Sequence, residues 1–136
     1  MSNKNFYIII GVIFLVAVVG TLFARRKRSE YEIEADENIH EPDLTYNEAE
    51  YSAMAESLYT AMAGCGTDEI RVLNTILKMK NESDWYKLVK KFGLRYYDSW
   101  TCSNDEGNLI EWINSEIEGY YLDEISKHLN SLGVTF

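Results

Sequence analysis

Ala61-Met62-Ala63-Gly64-Cys65-Gly66-Thr67-Asp68-Glu69 closes one apolar helix and opens another, with two glycines bracketing a single residue between them. Glycine tolerates positive φ and leaves carbonyls uncovered, so Gly64 and Gly66 predict a tight turn with outward backbone oxygens. Thr67 is placed to cap the helix that follows. Asp68 and Glu69 put negative charge in its first turn, where free N–H groups and the helix dipole favour it.

On both sides of this junction the apolar spacing stays helical. Met54, Leu58, Ala61 and Met62 fall at i, i+4, i+7 and i+8 before Gly64. Ile70, Leu73, Ile76 and Leu77 form a second stripe. Ser83 is placed to cap a third helix carrying Trp85, Leu88, Val89 and Phe92, which Gly93 closes. Leu94 to Gly107 breaks the periodicity and predicts a loop holding Tyr96, Tyr97 and Trp100. Leu109, Trp112, Ile113 and Ile117 mark a fourth helix, and Leu122, Ile125, Leu129 and Leu132 a fifth that starts after Gly119 and ends at Gly133. No alternating segment is long enough for a strand, so the expected fold class is all-α, a five-helix bundle.

The run Ala61-Met62-x-Gly64-x-Gly66-Thr67-Asp68-Glu69 resembles the first loop of an annexin repeat. Ile76-Leu77, Leu88 to Phe92-Gly93, and Asn108-Leu109 through Ser115-Glu116-Ile117-Glu118-Gly119-Tyr120 resemble the elements that follow it. The likeness covers one repeat, from Thr45 to Gly133, whereas annexins proper carry four or more. Isolated copies resemble those in proteins of bacteria and their large viruses. The resemblance implies a calcium site built from the carbonyls of Met62, Gly64 and Gly66 with the carboxylate of Glu116. Calcium takes about six to eight oxygens, so water or lipid phosphate would complete the shell, and one carboxylate implies weak affinity. The chain departs from the pattern in the loop before Gly107, roughly ten residues longer, and such insertions commonly carry private function.

Ahead of this domain, expected over residues 45–136, Phe6 to Ala24 carries no charge. At about 1.5 Å per residue it matches the roughly 30 Å hydrocarbon layer, which predicts a single transmembrane helix. The run is long and lacks a small-residue cleavage site, so an uncleaved anchor is expected over residues 1–28. Arg25-Arg26-Lys27-Arg28 follows it directly and predicts a domain on the cytoplasmic side. Ser29 to Leu44 is rich in acid and contains the chain's single proline, Pro42. It reads as an extended, solvated linker.

The net charge of −9 repels phosphate backbones and argues against nucleic acid as a partner. Cys65 and Cys102 lie in different loops without a metal-binding spacing. A cytoplasmic domain predicts two thiols, whereas the opposite orientation permits one bridge. His40 falls in the linker and His128 in the last helix, away from either cysteine, so no nucleophile and base pair assembles and no enzyme is expected. The expected function is a membrane-anchored binding or scaffolding module without a required cofactor. Tyr96, Tyr97 and Trp100 are the candidate contacts with a protein partner. The alternative is calcium-dependent phospholipid binding through the Gly-x-Gly-Thr loop.

Overall fold

The computed structural model describes residues 33–96 and 106–136. The expected span Phe6 to Ala24, the basic run Arg25 to Arg28, and Tyr97, Trp100 and Cys102 lie outside the described residues. The chain divides into two compact units, Met1–Ile33 and Glu34–Phe136. The helices expected for the domain all belong to the second.

Helix α1, Glu48–Met62, starts at a reciprocal capping box. The Asn47 side chain accepts from the Glu50 amide at 3.0 Å while the Glu50 carboxylate accepts from the Asn47 amide at 2.8 Å. It buries Tyr51, Met54, Ala55, Leu58, Ala61 and Met62, the expected stripe widened by Tyr51 and Ala55. Helix α3, Glu82–Phe92, buries Trp85, Leu88, Val89 and Phe92, and Gly93 stops it at φ 62°. Helices α4, Leu109–Glu116, and α5, Gly119–Ser131, complete the set. Asn108 and Glu111 form a second capping box at the start of α4. Helix α1 packs against both its successors, the helix after it also meets α5, and α3 meets α4. Trp85 and Trp112 are fully buried at the centre. The all-α class is borne out.

Helix α2, Glu69–Ile76, is rotated from the expected stripe. Val72, Thr75 and Ile76 are buried, whereas Ile70 is 60% and Leu77 45% exposed. A two-turn helix with apolar residues on two faces does not fix its own phase. The loop does so: the Asp68 amide donates to the Ala61 carbonyl at 2.9 Å and the Val72 amide to the Asp68 carbonyl at 3.1 Å.

Both expected caps are replaced. Asp68, not Thr67, caps α2 by accepting from the Arg71 amide at 3.1 Å. Asn81, not Ser83, caps α3 by accepting from the Asp84 amide at 2.8 Å. Within Leu94 to Gly107, two-residue strands β1, Arg95–Tyr96, and β2, Glu106–Gly107, pair antiparallel with Arg95 opposite Gly107. The segment expected to be loop throughout is therefore closed at its base by a short ladder.

The acidic run is not a solvated spacer from Glu34 onward. Residues 33–38 are helical, Ala35 is buried and Glu41–Asp43 form a 3₁₀ turn. Among the described residues, no helix is long and apolar enough to cross a membrane.

Candidate functional site

Between α1 and α2 the chain must reverse within six residues, and the glycines make that possible. Gly64 has φ 120° and Gly66 φ 133°, values that L side chains rarely adopt. A Cβ at either would meet nothing within 4 Å, so the demand is conformational and not steric. Gly66→Val is therefore expected to cost about 1–3 kcal/mol of backbone strain. Gly66→Ala should cost a similar amount, because shape is irrelevant in open space. Thermal unfolding of the two variants checks this; a large excess for valine would indicate a clash.

Thr67 serves the loop differently from the cap expected of it. Its hydroxyl donates to the Glu116 carboxylate at 2.7 Å across 49 positions of sequence. That bond joins the α1–α2 loop to the end of α4, so the sequence-expected site residues are brought to one region. Met62 is fully buried as the last residue of α1, Gly64 is half-buried, Gly66 is exposed, and Glu116 is half-buried. Among the described residues, no group of three or more His, Cys, Asp or Glu side chains could hold a metal. A cation here would depend on backbone carbonyls and on Glu116, one of whose oxygens already accepts from Thr67.

Cys65, at the exposed tip between the two glycines, is disulfide-bonded. Of the two outcomes expected, thiols in a cytoplasm or a bridge on the opposite side, this is the bridge. The chain holds one other cysteine, Cys102.

Tyr96 is 63% exposed, and the strand beneath it is held firmly. The Arg95 guanidinium lies 4.8 Å from the Tyr59 ring centroid and 5.1 Å from that of Phe92. It also donates to the Glu56 carboxylate at 2.7 Å and to the Phe92 carbonyl at 3.0 Å. Stacking and paired charge together fix the base of the aromatic loop.

Two charged residues that the sequence did not single out organise the opposite side. Asp84 is fully buried. It accepts from the Tyr51 hydroxyl at 2.5 Å, the Thr45 amide at 2.8 Å and the Lys80 amide at 3.0 Å. Burial alone would raise its pKa, but these hydrogen bonds outweigh it and hold the carboxyl below its usual range. The Tyr51 phenol is pushed well up, by burial first and then by Asp84. Both oxygens of Asp84 are occupied by donors, so it acts as a structural hub and not as an acid or base. Lys87, also buried, bridges Glu48 at 2.5 Å and Glu41 at 3.0 Å. Lys87 and Lys91 together hold Glu48 down to about 2. Asp84 had one visible signal, its place at the third position after the capping Asn81. Lys87 had none.

No protein-family model, no curated protein and no solved structure matches the chain.

Proposed function

We propose that the chain is a membrane-anchored, non-catalytic binding module of annexin-like helical build. The observation that supports this reading is the Thr67 to Glu116 bond. It joins the two places where an annexin-type repeat is expected to present its binding surface. Phe6 to Ala24 is the proposed anchor. A surface-confined module meets partners on the same membrane at a raised effective concentration, of order millimolar, so weak contacts suffice. Tyr96, Tyr97 and Trp100 are the proposed contacts, and the exposure of Tyr96 favours that role. Alkaline extraction of membranes carrying the full chain tests the anchor. Retention in the pellet is the expected result, and release into the supernatant would remove the proposal.

Orientation draws on two opposed signals. The basic run after the span favours a cytoplasmic domain, but a disulfide at Cys65 is kept only where the compartment does not reduce it. The disulfide is the heavier of the two, because so short a tail before the span crosses easily in either direction. We place the domain on the oxidising side. Membrane-impermeant maleimide on intact cells is expected to label the protein only after an impermeant reductant. Labelling without reductant, and only after permeabilisation, would return the domain to the cytoplasm.

That placement favours a second reading, calcium-dependent phospholipid binding through Met62, Gly64, Gly66 and Glu116. Outside a cytoplasm, calcium reaches the roughly 10⁻⁴–10⁻³ M that a site with one carboxylate needs. The full chain in micelles is expected to sediment with phosphatidylserine vesicles at millimolar calcium, and Glu116→Gln to abolish this. The variant should lose only about 1 kcal/mol of stability, the difference between a charged and a neutral acceptor for Thr67. Sedimentation that ignores calcium, or survives in Glu116→Gln, would sink the calcium reading alone.

A further inference from the structure

The acidic residues 34–44 lie against α3 almost wholly through polar groups. Glu41 pairs with Lys87 at 3.0 Å, and Asp36 pairs with Lys90. The His40 amide donates to the Ser83 hydroxyl at 2.9 Å, and the Asn81 side chain donates to the Asp43 carbonyl at 2.8 Å. Apolar burial is slight: Ala35 is buried and Ile39 half-buried, with no large side chain seated in the core before Leu44. A cavity of about 440 Å³ remains between this segment and the start of α3, lined by Glu37, Asn38, His40, Asp43, Glu82 and Leu132 among others. The seam is held by ion pairs and hydrogen bonds and not by packing.

The next residue is held quite differently. The Thr45 amide is fixed by the buried Asp84 at 2.8 Å, and Asn47 then begins the α1 capping box. Attachment therefore changes from ion pairs whose carboxylates stand in water to a fully buried hub across Leu44.

We propose that residues 34–44 are a releasable electrostatic strap, docked on the lysines of α3 and hinged at Leu44. The carboxylates of both pairs are exposed and open to screening by salt, whereas the buried hub and core are not, so the strap lifts while the helices stay folded. Release uncovers Lys87 and frees Lys90 of its partner. It also lets Glu34 stand as far as about 35 Å from Leu44, taking roughly 3.3–3.6 Å per residue for extended chain. That second consequence rests on the anchored reading above; the release itself does not.

The His40 amide reports docking directly, because its acceptor is Ser83. Amide exchange on the full chain in micelles, at about 50 and 500 mM salt, is expected to quicken roughly three- to tenfold at His40. Amides of Leu88 and Trp112, inside α3 and α4, should not change. Lys90→Glu should give the faster rate already at low salt, and adding Asp36→Lys should restore protection. Salt-independent exchange at His40, equal acceleration of the core amides, or no rescue by the reversed pair would each overturn the strap. None of these outcomes depends on whether Phe6 to Ala24 resists alkaline extraction.

Discussion

Replacing Asp84 with alanine is expected to lower the stability of the helical unit by roughly 3–5 kcal/mol, about the range for breaking a buried charged network. Three donors lose their acceptor at once: the Tyr51 hydroxyl and the amides of Thr45 and Lys80. The two amides belong to exposed residues and can turn to water, but Tyr51 is fully buried and cannot. Tyr51→Phe should therefore cost only about 1–2 kcal/mol, since it removes one donor and leaves the carboxylate two. Denaturant unfolding of both variants separates a hub from a single bond. Equal losses would mean that the tyrosine alone carries the effect.

The same residue sets an acid limb. The folded pKa of Asp84 lies below its ordinary value, so the folded state prefers the ionised form. Its contribution is fully present above the unfolded value of about 3.9 and is lost as pH falls through the folded value. Glu48, held at about 2 by Lys87 and Lys91, acts in the same direction and window. Asp84→Ala should therefore flatten the loss of stability below about pH 4 without abolishing it. A limb of unchanged steepness would assign acid unfolding to other carboxylates.

These residues mark the limit of what the sequence could reveal. Periodicity located the five helices from Glu48 onward, and missed the helical residues 33–38, which bury only Ala35 and so show no apolar stripe. It misjudged the phase of α2, where eight residues carry apolar side chains on two faces and a hydrogen bond from Asp68 to Ala61 selects one. It named Thr67 and Ser83 as caps because both have the right chemistry. Each had a neighbour with stronger claims, Asp68 and Asn81, and each hydroxyl was needed for a contact distant in sequence. The acidic run read as repelled and extended because its partners, the lysines of α3, lie more than forty positions away. No local pattern announces a bond between Thr67 and Glu116, which lie 49 positions apart.

Trp112→Ala is expected to have an effect as large as the loss of Asp84, about 3–5 kcal/mol, through a cavity and not through charge. The indole is fully buried, with ring centroids 5.5 Å from Tyr59 and 5.7 Å from Phe92. Tyr59 and Phe92 are the rings on which the Arg95 guanidinium rests, so the cavity opens beneath β1 and beneath Tyr96. Gly107, opposite Arg95 in the ladder, exists to admit this ring. A Cβ there would stand 2.9 Å from Cδ1 and 3.1 Å from Nε1 of Trp112. Gly107→Ala should accordingly cost about 1–3 kcal/mol by overpacking in the native protein. In a Trp112→Leu background, where no indole meets the methyl group, most of that cost should vanish. The two substitutions are thus expected to couple, with the double variant more stable than the sum of the singles implies. Additive losses in a denaturant cycle would mean that Gly107 is required by its backbone and not by the tryptophan. If the coupling is found, the base of the aromatic loop is positioned by one packed indole, and any partner contact at Tyr96 should weaken in Trp112→Ala while persisting in Gly66→Val.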